Sequence, residues 1–302
     1  MSFTVNLTNS QAGEIIGKYH EFSVSLTNNY TLFRAKYKSA AITIFKTLTM
    51  IVQGTNAAAV YNEICEILEI EKTKESSTNS SSSVNLSVLG TDEVGTGDFF
   101  GPIVVAGAFV PKSKILVIMK LGVKDSKLLT DAKIKQIAPM LMKEIQYSAL
   151  VMDNVKYNYL TKVHQFNMNK IKALLHNNVI YNLLPKIKDY DSIIIDAFTT
   201  KEKYFEYLKD QEHVITEVQL EERGESKYIA IASASVIARY LFLQNFEKLS
   251  ATVGFDLPKG AGPKVDLAIV KIIKEQSERY LELVGKTNFK NLEKMKKKDN
   301  HA

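Results

Sequence analysis

Apolar positions recur with two different periods along this chain, and the changes of period divide it into elements. Phe3, Val5 and Leu7 alternate with polar residues, the two-residue period of a strand half-buried against a core. Residues 10–19 then carry Ile15, Ile16 and Tyr19 on one side at helical spacing. Strand-like stretches follow at 40–45 and 47–53, closing at Gly54, and a helix is predicted over 56–70 with Thr55 as its N-cap. Cys65 falls among Val60, Ile64, Ile67 and Leu68 on that helix, so it reads as a packed thiol. Strand, helix, strands, helix is the order of a small α+β module.

Periodicity stops at residues 72–84, which are polar and small and include four consecutive serines, Ser80 to Ser83. Such a segment buries too little apolar surface to offset the entropy of ordering it, so it reads as a linker. Beyond it, 103–109 is an apolar run suited to a strand covered on both faces. An amphipathic helix is predicted over 131–145, interrupted at Pro139, and helix again over most of 156–184. Ser192-Ile-Ile-Ile-Asp196 is a short buried strand ending in an acid, and 214–220 is another strand-like run. Residues 226–246 form a helix whose small residues, Ala230 to Ala238, suit close packing on a sheet. Strands alternating with helices predict an α/β domain.

Composition narrows the class. The 302 residues are 45% hydrophobic and 24% charged, as in ordinary globular proteins. A net charge of +6 suits a polyanionic partner. One cysteine cannot form an internal disulfide, and no Cys/His spacing suits zinc. Without a leader pattern or a run of 18 apolar residues, the expectation is a cytoplasmic protein with no membrane contact.

The chemistry is concentrated where Asp92 and Glu93 stand together between two apolar runs. Paired carboxylates at a strand end repel one another unless a cation or substrate group neutralises them, and an all-oxygen donor set suits a hard divalent ion. Asp196 closes a second apolar strand, and ligands on α/β sheets gather at strand ends. In the N-terminal module, Arg34, Lys36, Lys38 and Lys46 fall among Tyr30, Phe33, Tyr37 and Phe45. Cations interleaved with aromatics on a sheet suit phosphates and sugar faces, although lysines on an outer strand face are also simply solvated.

The run Asp92-Glu-Val-Gly-Thr-Gly-Asp-Phe-Phe-Gly-Pro-Ile-Val-Val105 resembles the signature of type 2 ribonucleases H. Further family motifs follow in order: Gly122-Val-Lys-Asp-Ser-Lys-Leu-Leu-Thr130, Ile195-Asp-Ala-Phe198, Ala234-Ser-Val-Ile-Ala-Arg239 and the segment from Leu257 to Asp266. Three features point to the ribonuclease HIII subgroup. An N-terminal module precedes a linker; Thr96 replaces the arginine that ribonucleases HII carry between two glycines; Leu243 occupies the place of their fourth aspartate. The subgroup supplies its fourth acid just before that helix, where Glu225 stands.

The resemblance implies a ribonuclease H-like mixed sheet flanked by helices over 87–302. It also implies a linker at 72–86 and a substrate-binding α+β domain over 1–71 similar to TATA-box-binding protein. The implied reaction is cleavage of the RNA strand of an RNA·DNA hybrid, leaving 5′-phosphate and 3′-hydroxyl ends. Asp92 and Asp196 would be shared ligands of two ions roughly 3.5 to 4 Å apart, Glu93 a ligand of one, and Glu225 an outer ligand or water-positioning group. Mg²⁺ is the expected ion and Mn²⁺ its substitute. Gly95, Thr96 and Gly97 are expected to approach the sugar and its 2′-hydroxyl, with Ser126 and Lys127 as phosphate contacts. A monomer is expected. The competing functions are ribonuclease HII-like incision at single ribonucleotides and hybrid binding without catalysis.

Overall fold

The computed structural model describes residues 2–26, 31–68, 86–123 and 126–292. The chain forms two compact units, Met1–Ser80 and Ser81–Ala302. Most of the expected linker, Tyr30 and the lysine-rich run from Lys294 to Lys298 lie outside the described residues.

In the first unit β1 (Ser2–Asn6), β2 (Thr31–Tyr37), β3 (Ala40–Phe45) and β4 (Thr49–Gly54) form an antiparallel sheet in the order β1-β4-β3-β2. Helices α1 (Asn9–Tyr19) and α2 (Ala57–Ile67) supply the other half of its core. Thr8 caps α1 and exchanges hydrogen bonds with Gln11, which satisfies two otherwise orphaned amides. At α2 the N-cap is Asn56, not Thr55, whose hydroxyl instead lies 3.5 Å from the Ser39 carbonyl.

The sequence pattern does not predict strand β2, which separates the interleaved cations and aromatics. Alternation turns Phe33 and Tyr37 to the core, while Lys36 stands exposed and Arg34 half-buried on the other face. Lys38 leaves the strand at φ 43 and pairs with Glu63 at 3.0 Å.

The second unit is built on β5 (Val88–Val94), β6 (Ile103–Val110), β7 (Gln146–Met152), β8 (Ser192–Asp196) and β9 (Gln219–Glu221). Their order is β7-β6-β5-β8-β9; β5, β6 and β7 run antiparallel, and β8 and β9 run parallel to β5, giving the expected mixed sheet. One face packs against α3 (Ile115–Lys120), α4 (Asp131–Glu144), α9 (Ile229–Val253) and α10 (Pro263–Glu275). The other packs against α5 (Asn154–Lys162), α6 (Met168–Leu183) and α7 (Lys201–Leu208). Every residue of β6 is buried, as its unbroken apolar run requires.

Helix α9 lies against β5 so closely that a Cβ at Gly90 would come within 2.5 Å of the Ile231 amide nitrogen. By length and composition alone α9 could cross a membrane, yet 67% of its apolar window is buried inside the unit, as suits a core helix.

Several local expectations change. Pro139 does not interrupt α4, because the buried stripe of Ile134, Ile137, Ala138 and Leu141 holds the helix across the missing N–H. The helix expected over 156–184 divides into α5 and α6 at Gln165, which adopts φ 55, and Asn167 caps the second piece. The strand at 214–220 shrinks to three residues, and β7 is an edge strand that the pattern does not reveal.

Candidate active site

The parallel register of β5 and β8 pairs Thr91 with Ile195, so Asp92 and Asp196 follow side by side at the carboxyl ends of neighbouring strands. Alternation along β5 turns Gly90 and Asp92 toward α9 and sends Thr91 and Glu93 toward α6. Adjacent in sequence, the two acids of the pair therefore serve opposite faces of the sheet. A short helix, α8 (Gly224–Lys227), brings Glu225 to the Asp92 side. Its Gly224 amide donates to Asp196 Oδ1 at 2.7 Å.

Asp92 is 7% exposed. Burial, reinforced by the charges of Glu93 and Asp196, pushes its carboxyl well above the usual carboxylate range. A hydrogen bond from Ser235 and the Glu93 amide, 2.7 Å from Asp92 Oδ1, offset part of this. Asp196 is also raised, first by burial, with the Gly224 amide working against it and Glu93 adding to it. Glu93 moves the other way. Burial would raise it, but His176 and Lys172 outweigh that and hold it at about 2, against an ordinary 4.5.

The partners of Glu93 are not in any of the sequence motifs. Lys172 Nζ donates to its Oε1 at 2.8 Å and His176 Nε2 to its Oε2 at 3.0 Å, while His176 Nδ1 shares a 2.7 Å hydrogen bond with the Thr91 hydroxyl. Phe198, two residues past Asp196, supports both: its ring stacks on His176 at 5.2 Å and lies 4.2 Å under the Lys172 ammonium. Lys172 and His176 are four apart on the buried stripe of α6, and a lysine and a histidine at that spacing among apolar neighbours is the signal that would have found them.

Glu225 is buried and ion-paired with Lys127, whose side chain is 77% exposed. The Ser235 hydroxyl reaches Glu225 Oε2 at 3.5 Å and the Ser126 hydroxyl at 2.7 Å. Ser126 is itself buried, so its hydroxyl faces Ser235 and not open solvent. The turn after β5 begins at Gly95, where φ is +94 and a Cβ would stand 2.1 Å from the Pro102 carbonyl oxygen. Thr96 is half-buried, and Gly97 is exposed, with nothing within 4 Å of where a Cβ would stand.

Asp92, Asp196 and Glu225 thus offer oxygen donors alone on one side of the sheet, and two of the three are held above their ordinary range by burial and like charge. That is the electrostatic condition a hard divalent ion relieves, and the donor chemistry fits one. Among the described residues no three His, Cys, Asp or Glu side chains already enclose an ion site. Glu93 is instead engaged by Lys172 and His176, and Glu225 by Lys127.

The Ribonuclease HII family profile matches residues 89–292, the segment that contains all of these acids, and the Domain of unknown function (DUF3378) profile matches residues 2–78. The ribonuclease HIII of Streptococcus mutans is 39% identical over 297 residues, covering 97% of each chain. That of Bacillus mycoides is 42% identical over 273 residues, covering 87% of each. The solved structure of Bst-RNase HIII in complex with Mn²⁺ superposes with a TM-score of 0.71 at 36% identity and 97% coverage of both chains. A likeness of this extent spans both units, and the chain belongs to the ribonuclease HIII family, ribonucleases H that act as endonucleases on RNA in hybrids.

Proposed function

We propose that Asp92, Glu93, Asp196 and Glu225 carry hydrolysis of the RNA strand of an RNA·DNA hybrid, using two divalent ions, Mg²⁺ by preference and Mn²⁺ as a substitute. The observation that supports this most is the side-by-side placement of buried Asp92 and half-buried Asp196, both carboxyls raised first by desolvation and further by the charge of Glu93. Bound divalent ions would polarise the phosphodiester and ease deprotonation of the attacking water. Asp92 and Asp196 would hold the ions as shared ligands. Glu225, now paired with Lys127 and within reach of the Ser235 hydroxyl, would be the outer ligand or water-positioning group. Lys172, His176 and Thr91 fix the carboxylate of Glu93, so that it does not have to be ordered when substrate arrives.

Gly97 presents open backbone to the sugar of the RNA strand, and the exposed Lys127 side chain would meet a phosphate. Recognition by shape, 2′-hydroxyls and phosphates is then independent of sequence and weakens steeply with salt. In the N-terminal unit, the face carrying Arg34 and Lys36 holds substrate. The enzyme acts as a monomer in the cytoplasm. The deciding experiment sets a labelled long hybrid against a DNA duplex containing one ribonucleotide, in Mg²⁺, in Mn²⁺ and in a chelator. Cleavage of the hybrid alone, abolished by the chelator, is expected; incision of the single-ribonucleotide duplex at a comparable rate would overturn the substrate assignment, and cleavage in the chelator the metal one.

A further inference from the structure

Lys286 is a lysine at 0% exposure, and burial brings its ammonium from 10.5 down to about 7. A buried ammonium needs acceptors, and Lys286 Nζ finds them in the turn between β5 and β6. It donates to the Asp98 carbonyl at 2.8 Å and the Gly101 carbonyl at 2.6 Å. The main chain around it closes on the same turn: the Lys286 amide donates to the Phe99 carbonyl at 2.8 Å, the Gly101 amide to the Val284 carbonyl at 3.2 Å, and Phe100 bridges to Gly285. From the far side, the Asp98 carboxylate accepts from the Gly260 amide at 2.6 Å. Residues 98–101 are therefore held at every step, and the tethers start one residue past the exposed Gly97.

The segment that presents Lys286 is fixed in its turn. Asn158, buried on α5, donates to the Gly285 carbonyl at 2.9 Å and accepts from the Thr287 amide at 3.0 Å, bracketing Lys286 on both sides. A lysine serving only to fill space would be better replaced by an apolar side chain, since desolvating an ammonium costs several kcal/mol on the order-of-magnitude scale for buried ions. What the ammonium adds is two donors on one point, aimed at carbonyls three residues apart. That closes the turn like a staple.

We infer that Lys286 is a positioning residue for the substrate: it staples the turn 95–101 from beneath, in the shape in which the Gly97 backbone meets the hybrid. The inference rests on the reading of 95–97 as a substrate contact, and the two can be told apart. Lys286→Met, Lys286→Arg and Gly97→Ala are assayed on a labelled hybrid, with amide hydrogen exchange across 95–101. Misplacement of a binding segment by a fraction of an ångström is expected to raise KM about tenfold in Lys286→Met with kcat changed less than about threefold, with Arg falling between. Exchange at Phe99 and Gly101 quickens while β5 and β6 stay protected. Gly97→Ala, whose new methyl meets open space, raises KM without shifting the thermal transition.

If Gly97→Ala raises KM and Lys286→Met does not, Lys286 has no positioning role and the contact reading survives. If Gly97→Ala leaves KM unchanged, the contact reading falls and the inference falls with it. A loss of kcat at constant KM in the Met variant also overturns it. Should that variant not fold, Lys286→Arg decides alone: a several-fold rise in KM at constant kcat upholds the staple, and an unchanged KM refutes it.

Discussion

Asp92→Asn and Glu93→Gln each remove one negative charge at nearly constant volume from adjacent residues, and the structure gives their effects on stability opposite signs. Asp92 is buried beside like charge, so its carboxyl holds its proton more tightly folded than unfolded. Stability then falls as pH rises from the ordinary carboxylate value towards the raised folded one. Asparagine removes that loss while its oxygen still accepts from the Glu93 amide, a gain of about 1–3 kcal/mol by the scale of buried polar groups. Glu93 runs the other way: held at about 2 against 4.5, its contribution is present above pH 4.5 and lost as pH falls through 2. The difference corresponds to roughly 3 kcal/mol, close to the ~3–5 kcal/mol cost of breaking one side of a buried pair. Thermal unfolding of the second unit at pH 7 in chelator checks this, at roughly 2–4 °C per kcal/mol for a domain of this size. Asp92→Asn should unfold several degrees above the parent and Glu93→Gln several degrees below. Added Mg²⁺ should raise the parent and leave Asp92→Asn nearly unmoved, and both variants should lose cleavage by at least about a hundredfold. Shifts of the same sign in the two variants would refute the assignment of Glu93 to Lys172 and His176 of α6 and of Asp92 to the acids.

Gly90→Ala drives a methyl into the Ile231 backbone and should destabilise the second unit by about 1–3 kcal/mol, read as a lower unfolding temperature; an unchanged transition would mean α9 can retreat freely. The buried Lys286 sheds its proton near pH 7 in the folded chain but near 10.5 unfolded, so the folded state binds fewer protons between those values and stability should rise with pH there. From pH 7 to 9 the parent should gain about 2–3 kcal/mol relative to Lys286→Met, measured by urea unfolding, and parallel pH profiles would count against a charged buried lysine. Replacing Arg34 and Lys36 together by alanine should raise KM for the hybrid and flatten its salt dependence by about two ion equivalents at unchanged kcat; an unaltered salt slope would remove that face from the substrate path.

Local pattern was enough for much of this protein. The unbroken apolar run of β6, the alternation of β1, the helical spacing of α1 and the motif spacing from Asp92 to Ala238 are written in neighbouring residues, because strand and helix periods are properties of a few successive side chains. Edge strand β7 escaped, since its faces are only partly covered and its alternation is weak; β2 alternates regularly, though in a run whose outer face is cationic. Pro139 and Thr55 show the same limit, where packing of a whole face outweighs one residue's preference. The acids themselves were legible, and their roles were not. That Asp92 and Glu93 face opposite sides of the sheet follows from the strand period, but which partners wait on the far side depends on α6, 79 residues away in sequence at Lys172. Ser126 reaches Ser235 across 109 residues and Lys286 reaches Asp98 across 188. Such contacts depend on strand register and helix docking, which are decided by the closing of the core as a whole, and no short window of sequence carries that information.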